Sequence, residues 1–453
     1  MRRPVSSTTT TSRVIHPFYT SGQQEVAAMS NVVGSHATAR ESEDPLLQVR
    51  DLKKHFPMNS GLLSSVRFDR SGGGFPLSIE QRSVRAVDGV SFDLHAGETL
   101  GVVGESGCGK STLAHALLGL SPPTDGEIQF RDEELTTFNS TQWREIRQHI
   151  QLVFQDPQSS LNPRRIVGSI IADPLEAAGW SPERRRNRVL ELLEDVGLER
   201  DFYNRYPHEF SGGQRQRINL ARALSISPDL VIADEPVSGL DMSVQAQILN
   251  LMDDLQDEYG LTYLFITHDL SVIRHIADRV AVMYLGDFVE TGPTDRLFSS
   301  PHHPYTRALL DSVPHPNPDA RAIDSRLRGT VPSPSDPPAG CKFHTRCPRR
   351  IPPDGFDRES YREFQAFRDA IRDESIDPAE DIGTYFDTLP AVAEKAVRTA
   401  FDRASTGEWE DAHDALAEFE SVCEREVPRH ERISDSHQSA CHLSVNDRTD
   451  YSW

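Results

Sequence analysis

The sequence predicts an α/β fold, with short apolar strands alternating with helices around a glycine-rich loop. Three stretches carry that expectation. "TLGVVG" (99–104) is a short strand of the buried type that runs into "GESGCGKST" and then into "STLAHALLGL", which has helical periodicity. "LVIADE" (230–235) and "TYLFITH" (262–268) are further apolar strands, and "SVQAQILNLMDDLQDEYG" between them has helical spacing.

The remaining elements follow in chain order. Residues 1–45 are polar, Ser/Thr-rich and irregular, and are expected to be a disordered tail. The opening "MRRPVSSTTTTSRVIHPFYT" has no apolar segment of the kind a secretory or twin-arginine signal needs, and Met29 is an alternative translation start. "LLQVRDLKKHF" (46–56) alternates as a strand, a Gly/Ser-rich loop containing "RSGGGFP" follows, and "SVRAVDGVSFDL" (83–94) resumes strand character. Residues 157–210 are expected to be mostly helical, and in "SPERRRNRVLELLEDVGL" a serine cap and a proline open an amphipathic segment. "RVAVMYLGDFVETG" predicts a strand pair. After residue 299 the chain turns Pro/His-rich in "SSPHHPYTRALLDSVPHPNP", then acidic and partly helical. There is no internal repeat, and no run approaches the roughly 18 apolar residues of a membrane span.

Charge narrows the function classes. The formal charge is −21, from 69 acidic and 48 basic residues, and the only lysines are Lys53, Lys54, Lys110, Lys342 and Lys395. So acidic a chain argues against nucleic acid as the main partner. A lysine-poor acidic surface suits solubility in concentrated salt, where long-range repulsion is screened, as in a halophile.

"GESGCGKST" (Gly104, Glu105, Ser106, Gly107, Cys108, Gly109, Lys110, Ser111, Thr112) fits G-x-x-x-x-G-K-[ST] with the required strand before it and helix after it. Glycines let backbone N–H groups face phosphates, and the helix amino terminus adds favourable partial charge. Lys110 is expected to reach the β- and γ-phosphates of ATP, and Ser111 to ligate Mg²⁺. Cys108 is read as a small filler of this loop rather than a reactive thiol. About 120 residues on, Asp234 and Glu235 close an apolar strand. The first is placed to hold Mg²⁺ through water, the second to orient and polarise an attacking water.

Further segments resemble the ATP-binding-cassette (ABC) ATPases. "FSGGQRQR" (210–217) is similar to their signature motif, with Phe210 where Leu is commoner; "VFQDPQSSLNPR" resembles the Q-loop; "SGLD" (238–241) resembles the D-loop, with Gly239 in place of Ala; "ITHD" supplies a switch histidine. They occur in the family's order across about residues 46–298. The resemblance implies a P-loop NTPase fold with a RecA-like core, an antiparallel β subdomain and a helical subdomain near 157–210. It assigns Gln155 to the metal and γ-phosphate, His268 to the switch, Phe56 to stacking on adenine, and Ser211, Gly212, Gly213, Gln214 and Asp241 to the nucleotide of a facing subunit.

A closer likeness is to the ATPases of oligopeptide and dipeptide importers, particularly the second of their two subunits, on "AVDGVSFDLHAGETLGVVGESGCGKSTL", "NRYPHEFSGGQRQRI" and "HHPYTRALLDSVP". Nickel and some sugar importers share the last stretch. The resemblance implies a second cassette subunit, identical or not, two membrane permease subunits and an extracellular solute-binding protein. It places the chain peripherally on the cytoplasmic face of the cell membrane. Soluble cassette ATPases acting on ribosomes or DNA are the rival class. The first normally carry two cassettes and a basic linker, the second a coiled coil or zinc insert between phosphate loop and signature.

Four cysteines gather in the tail, 299–453. Cys341 and Cys347 are spaced C-x5-C, 75 residues separate Cys347 from Cys423, and 17 more precede Cys441. In the absence of an export signal, structural disulfides are not expected. Tetrathiolate sites suit zinc or a cubane cluster, and thiols without metal are the third alternative. "CKFHTRCP", "SVCEREVP" and "SACHL" resemble the pieces of a [4Fe–4S] site in relatives of this importer group, but with an acidic, amphipathic helical insertion of about 350–420 between its second and third cysteines.

Overall fold

The computed structural model describes residues 44–58, 66–68, 77–79, 83–312, 327, 329–377, 381–387 and 389–445. The expected tail, with Met29, lies outside the described residues except at its end, as does most of the Gly/Ser-rich loop after Phe56.

Among the described residues two large sheets and a two-stranded one organise the chain from residue 47 onward. The strands are β1 (Leu47–Pro57), β2 (Val66–Phe68), β3 (Leu77–Ile79), β4 (Ser83–Leu94), β5 (Thr99–Val103), β6 (Asp125–Phe130), β7 (Glu133–Glu134), β8 (Ile150–Val153), β9 (Leu230–Asp234), β10 (Thr262–Thr267), β11 (Arg279–Tyr284), β12 (Asp287–Pro293), β13 (Glu431–Ser434) and β14 (His437–Ser439). An antiparallel sheet runs β4-β1-β6-β7, and β2 pairs with β3. The central sheet runs β13-β14-β12-β11-β5-β10-β9-β8, parallel from β11 to β8 and antiparallel beyond β11.

The parallel strands are apolar without interruption because both of their faces are covered. Successive side chains of β9, β10 and β5 enter different cores. Ile232, Leu264, Ile266, Leu100 and Val102 pack toward the antiparallel sheet, and Val231, Ala233, Tyr263, Phe265 and Val103 pack toward the helices. The region 157–210 is helical as expected. Its longest helix, Pro182–Asp195, is capped by Ser181, whose hydroxyl accepts from the Arg184 N–H, with proline in the first turn. Helix Met242–Tyr259 ends at Gly260 in the left-handed conformation.

The segment after residue 350 builds a core of its own. Helix Arg358–Arg372 buries Tyr361, Phe364, Phe367 and Ile371 at helical spacing against Val397, Ala400 and Ala404 of helix Glu394–Ser405. Glu424 ties this core to the cysteine segment, pairing with Arg350 at 3.2 Å and Arg368 at 3.0 Å. The chain then returns to the central sheet, where β14 pairs with β12. There the fully buried Glu290 meets His437 at 2.8 Å and accepts from the N–H groups of His302 and His303. Burial opposes the charge on Glu290, but these bonds outweigh it and hold its carboxyl below the usual range.

Candidate functional site

The phosphate-loop motif folds as a strand–loop–helix unit. β5 is central in the sheet, and helix Lys110–Leu117 leaves the loop at Gly109. Gly109 has φ 110°, and a Cβ on it would stand 2.0 Å from the Ala86 carbonyl oxygen; only glycine fits. Lys110 is buried and folds back over the loop, its Nζ donating to the carbonyls of Gly104 at 2.8 Å and Glu105 at 3.1 Å. Ser106, Gly107 and Ser111 are exposed, and Thr112 is half-buried. Cys108 turns inward and is buried; burial raises its thiol pKa despite Lys110 nearby. Its side chain packs inside the loop.

The remaining groups stand at the carboxyl ends of neighbouring parallel strands, where open α/β sheets present their sites. Asp234 ends β9, and its Oδ1 accepts from the Ser111 hydroxyl at 3.3 Å. Burial raises the Asp234 carboxyl pKa, the Ser111 bond opposes that rise, and the Glu235 charge reinforces it. Such a carboxylate gains from a bound cation. Glu235 has φ 47°, unusual for a residue with a side chain, and its N–H donates to Ile266 of β10 at 2.8 Å. Its two oxygens are both engaged: Oε2 accepts from Gln155 Nε2 at 2.8 Å, and Oε1 lies 3.0 Å from His268 Nδ1. Gln155 is two residues past β8, and His268 immediately follows β10. Three segments far apart in sequence thus meet on one carboxylate.

Ser211 caps helix Gly212–Leu224 and forms a reciprocal capping box with Gln214. Ser211 and Gly212 are exposed, Gly213 and Gln214 half-buried. Gly212 and Gly213 lie against Leu240 and Val244, so the signature packs on the D-loop. Asp241 caps the helix that follows, accepting from Val244 N–H at 3.0 Å and from the Ser243 hydroxyl at 2.6 Å. Phe210 is buried edge-on against Phe202, which explains an aromatic at this position. Phe56, near the end of β1, is 40% exposed, with Lys54 Nζ 4.9 Å from its ring centre.

The cysteine segment folds back toward the cassette. The Cys341 N–H donates to the Cys423 carbonyl at 2.9 Å, and all four tail thiols are free. Burial pushes the thiols of Cys341 and Cys441 up to about 12 and that of Cys347 well above its ordinary value, and neighbouring cysteines add to each rise. The Cys341–Cys423 backbone bond brings two of the four cysteine-bearing segments together. Among the described residues, however, no three His, Cys, Asp or Glu side chains are grouped to hold a single metal ion. Zinc and a cluster are alike supported only by the nature of the four donors. Two contacts were not foreseen from sequence: Arg346 and Tyr305 both touch the phosphate loop at Glu105. No helix among the described residues is long and apolar enough to cross a membrane.

Comparison with known proteins gives the family of the chain. The family described as ABC transporter matches residues 87–238, the oligopeptide/dipeptide transporter C-terminal region matches 289–353, and a domain of unknown function matches 349–436. The chain is similar to the oligopeptide transport ATP-binding protein AppF of Bacillus subtilis, 52% identical over 311 residues, covering 68% of this chain and 90% of that protein. It is also similar to the dipeptide transport ATP-binding protein DppF of Escherichia coli, 52% identical over 312 residues, covering 69% and 89%. The oligopeptide transport ATP-binding protein OppF of Salmonella typhimurium is 49% identical over 312 residues, covering 68% and 90%. This chain belongs to the ABC transporter family, among the ATP-binding proteins that carry the oligopeptide/dipeptide transporter C-terminal region.

Proposed function

We propose that the chain is the ATP-hydrolysing subunit of an importer of oligopeptides or dipeptides. The observation that carries the catalytic part is the Gln155–Glu235–His268 arrangement beside the Ser111–Asp234 pair. Glu235 takes the proton of the attacking water, and Gln155 and His268 fix its two oxygens so that its basic lone pair points one way. Lys110 and the loop N–H groups bind the β- and γ-phosphates, and Phe56 stacks on adenine. Ser111, Asp234 and Gln155 are the residues that would hold Mg²⁺, which neutralises phosphate charge when bound.

The exposed Ser211, with Gly212, Gly213, Gln214 and Asp241, completes the nucleotide site of a second cassette subunit. ATP then bridges two subunits, and its hydrolysis releases the bridge, a cycle that permease subunits convert into import. The working place is the cytoplasmic face of the membrane. Co-expressed with its permeases and partner cassette and reconstituted in vesicles, the chain is expected to release phosphate faster when a peptide-loaded binding protein is present. Activity that rises along a potassium chloride series is expected if the acidic, lysine-poor surface is suited to concentrated salt. Stimulation by nickel- or oligosaccharide-loaded binding proteins instead reassigns the cargo. No hydrolysis at any salt concentration overturns the proposal.

The four tail cysteines support a second reading. They are free, Cys423 and Cys441 buried and Cys341 and Cys347 half-buried, a backbone hydrogen bond joins Cys341 to Cys423, and four thiolates are the donor set of a [4Fe–4S] cluster. Protein purified without oxygen is expected to be brown and to contain iron and sulfide. Colourless, iron-free protein from that preparation ends this reading.

A further inference from the structure

The loop between Cys341 and Cys347 reaches the nucleotide site at two places. Arg346, 5% exposed in its side chain, grips Glu105 of the phosphate loop with both terminal nitrogens, at 2.6 and 3.0 Å. Lys342 Nζ donates to Asp88 of β4 at 2.9 Å, and the other oxygen of Asp88 lies 2.9 Å from His55, the residue before Phe56. Between these two contacts stands a buried aromatic wedge. Tyr284, Tyr305 and Phe343 pack with ring centres 4.7 to 5.3 Å apart, and the Tyr305 hydroxyl accepts from the Glu105 N–H at 3.0 Å. The loop thus has one foot behind the phosphate-binding turn and one beside the strand that carries Phe56.

We propose that Arg346 and Lys342 are positioning residues for the nucleotide site, Arg346 acting through Glu105 and Lys342 through Asp88, so that the cysteine segment sets the affinity for ATP. This rests on the ATP reading above. Glu105 puts a carboxylate inside a loop built for phosphates, and like charges there oppose binding. The Arg346 fork neutralises that carboxylate, and the two-point grip restrains its rotation. Arg346 is 5% and Glu105 27% exposed, so water screens the pair only in part. Because coupling is reciprocal, nucleotide binding also bears on the order of the 341–347 loop.

The test uses the full chain and reads KM for ATP separately from kcat. Arg346→Met is expected to raise KM at least about tenfold while kcat falls much less, since ground-state binding is what is lost. Adding Glu105→Gln to that variant removes the exposed charge and is expected to recover most of the lost affinity. A role confined to packing gives no such recovery. If Arg346→Met does not fold, Arg346→Lys decides: it keeps the charge without the fork, and a KM raised severalfold supports the proposal. A KM within twofold of wild type in the folded variant, or no recovery from Glu105→Gln, overturns it. Absence of hydrolysis by the wild-type chain is a separate result and speaks against the ATP reading.

Discussion

Replacing Glu235 by glutamine lowers ATP turnover by about 100- to 10,000-fold, the range a general base contributes, while nucleotide binding persists. The amide has the shape of the carboxylate, so the contacts to Gln155 and His268 are retained in outline. What disappears is the basic oxygen. The left-handed backbone at Glu235, held by the bond from its N–H to Ile266, also tolerates glutamine as well as glutamate. With hydrolysis blocked and the triphosphate in place, ATP-dependent dimers with the partner cassette should accumulate. Single-turnover phosphate release and size-exclusion chromatography with ATP check both halves. Hydrolysis at the wild-type rate would falsify the role of Glu235.

Gly109→Ala is expected to abolish ATP binding outright. The new methyl would sit 2.0 Å from the Ala86 carbonyl oxygen and 3.0 Å from the Met283 methyl, at a φ of 110° that L-residues avoid. The carbonyl is main chain of β4, at the irregularity between the Lys54–Val87 and His55–Arg85 pairs, and unlike a side-chain tip it cannot rotate out of the way. The loop must therefore distort, and the N–H groups that face the phosphates turn away. Gly107→Ala is the control. It shares a positive φ, 80°, but has open space around it, so only the backbone strain of about 1–2 kcal/mol remains. Titration with a fluorescent nucleotide should find binding in Gly107→Ala and none in Gly109→Ala. Equal affinities would mean that the loop accommodates the methyl and that this account of it is mistaken.

Much of the fold and of the ATP site could be read from the sequence because each part is written locally. A phosphate loop needs a strand, a tight turn and a helix in direct succession, and residues 99–117 contain all three. Asp234 ends, and Glu235 directly follows, a strand whose apolar run marks it as buried on both faces. The inserted segment reads as amphipathic and helical, and helix Arg358–Arg372 buries Tyr361, Phe364, Phe367 and Ile371 on one face. By contrast, β13 and β14 gave no sign of themselves. They are four and three residues long and largely polar, too short for an alternating pattern to stand out. Their place beside β12 follows from pairing with an existing sheet edge and from the buried Glu290–His437 contact.

What the sequence by itself determined was the class of chemistry: which residue types are present, in which order, each next to the local element that aims it. Only the tertiary structure decided their company. Gln155 and Glu235 are 80 residues apart, Glu235 and His268 are 33 apart, and Glu105 and Arg346 are 241 apart. No periodicity encodes such pairs, because side-chain complementarity between distant segments arises from the order of strands in the sheet and the path of the chain between them.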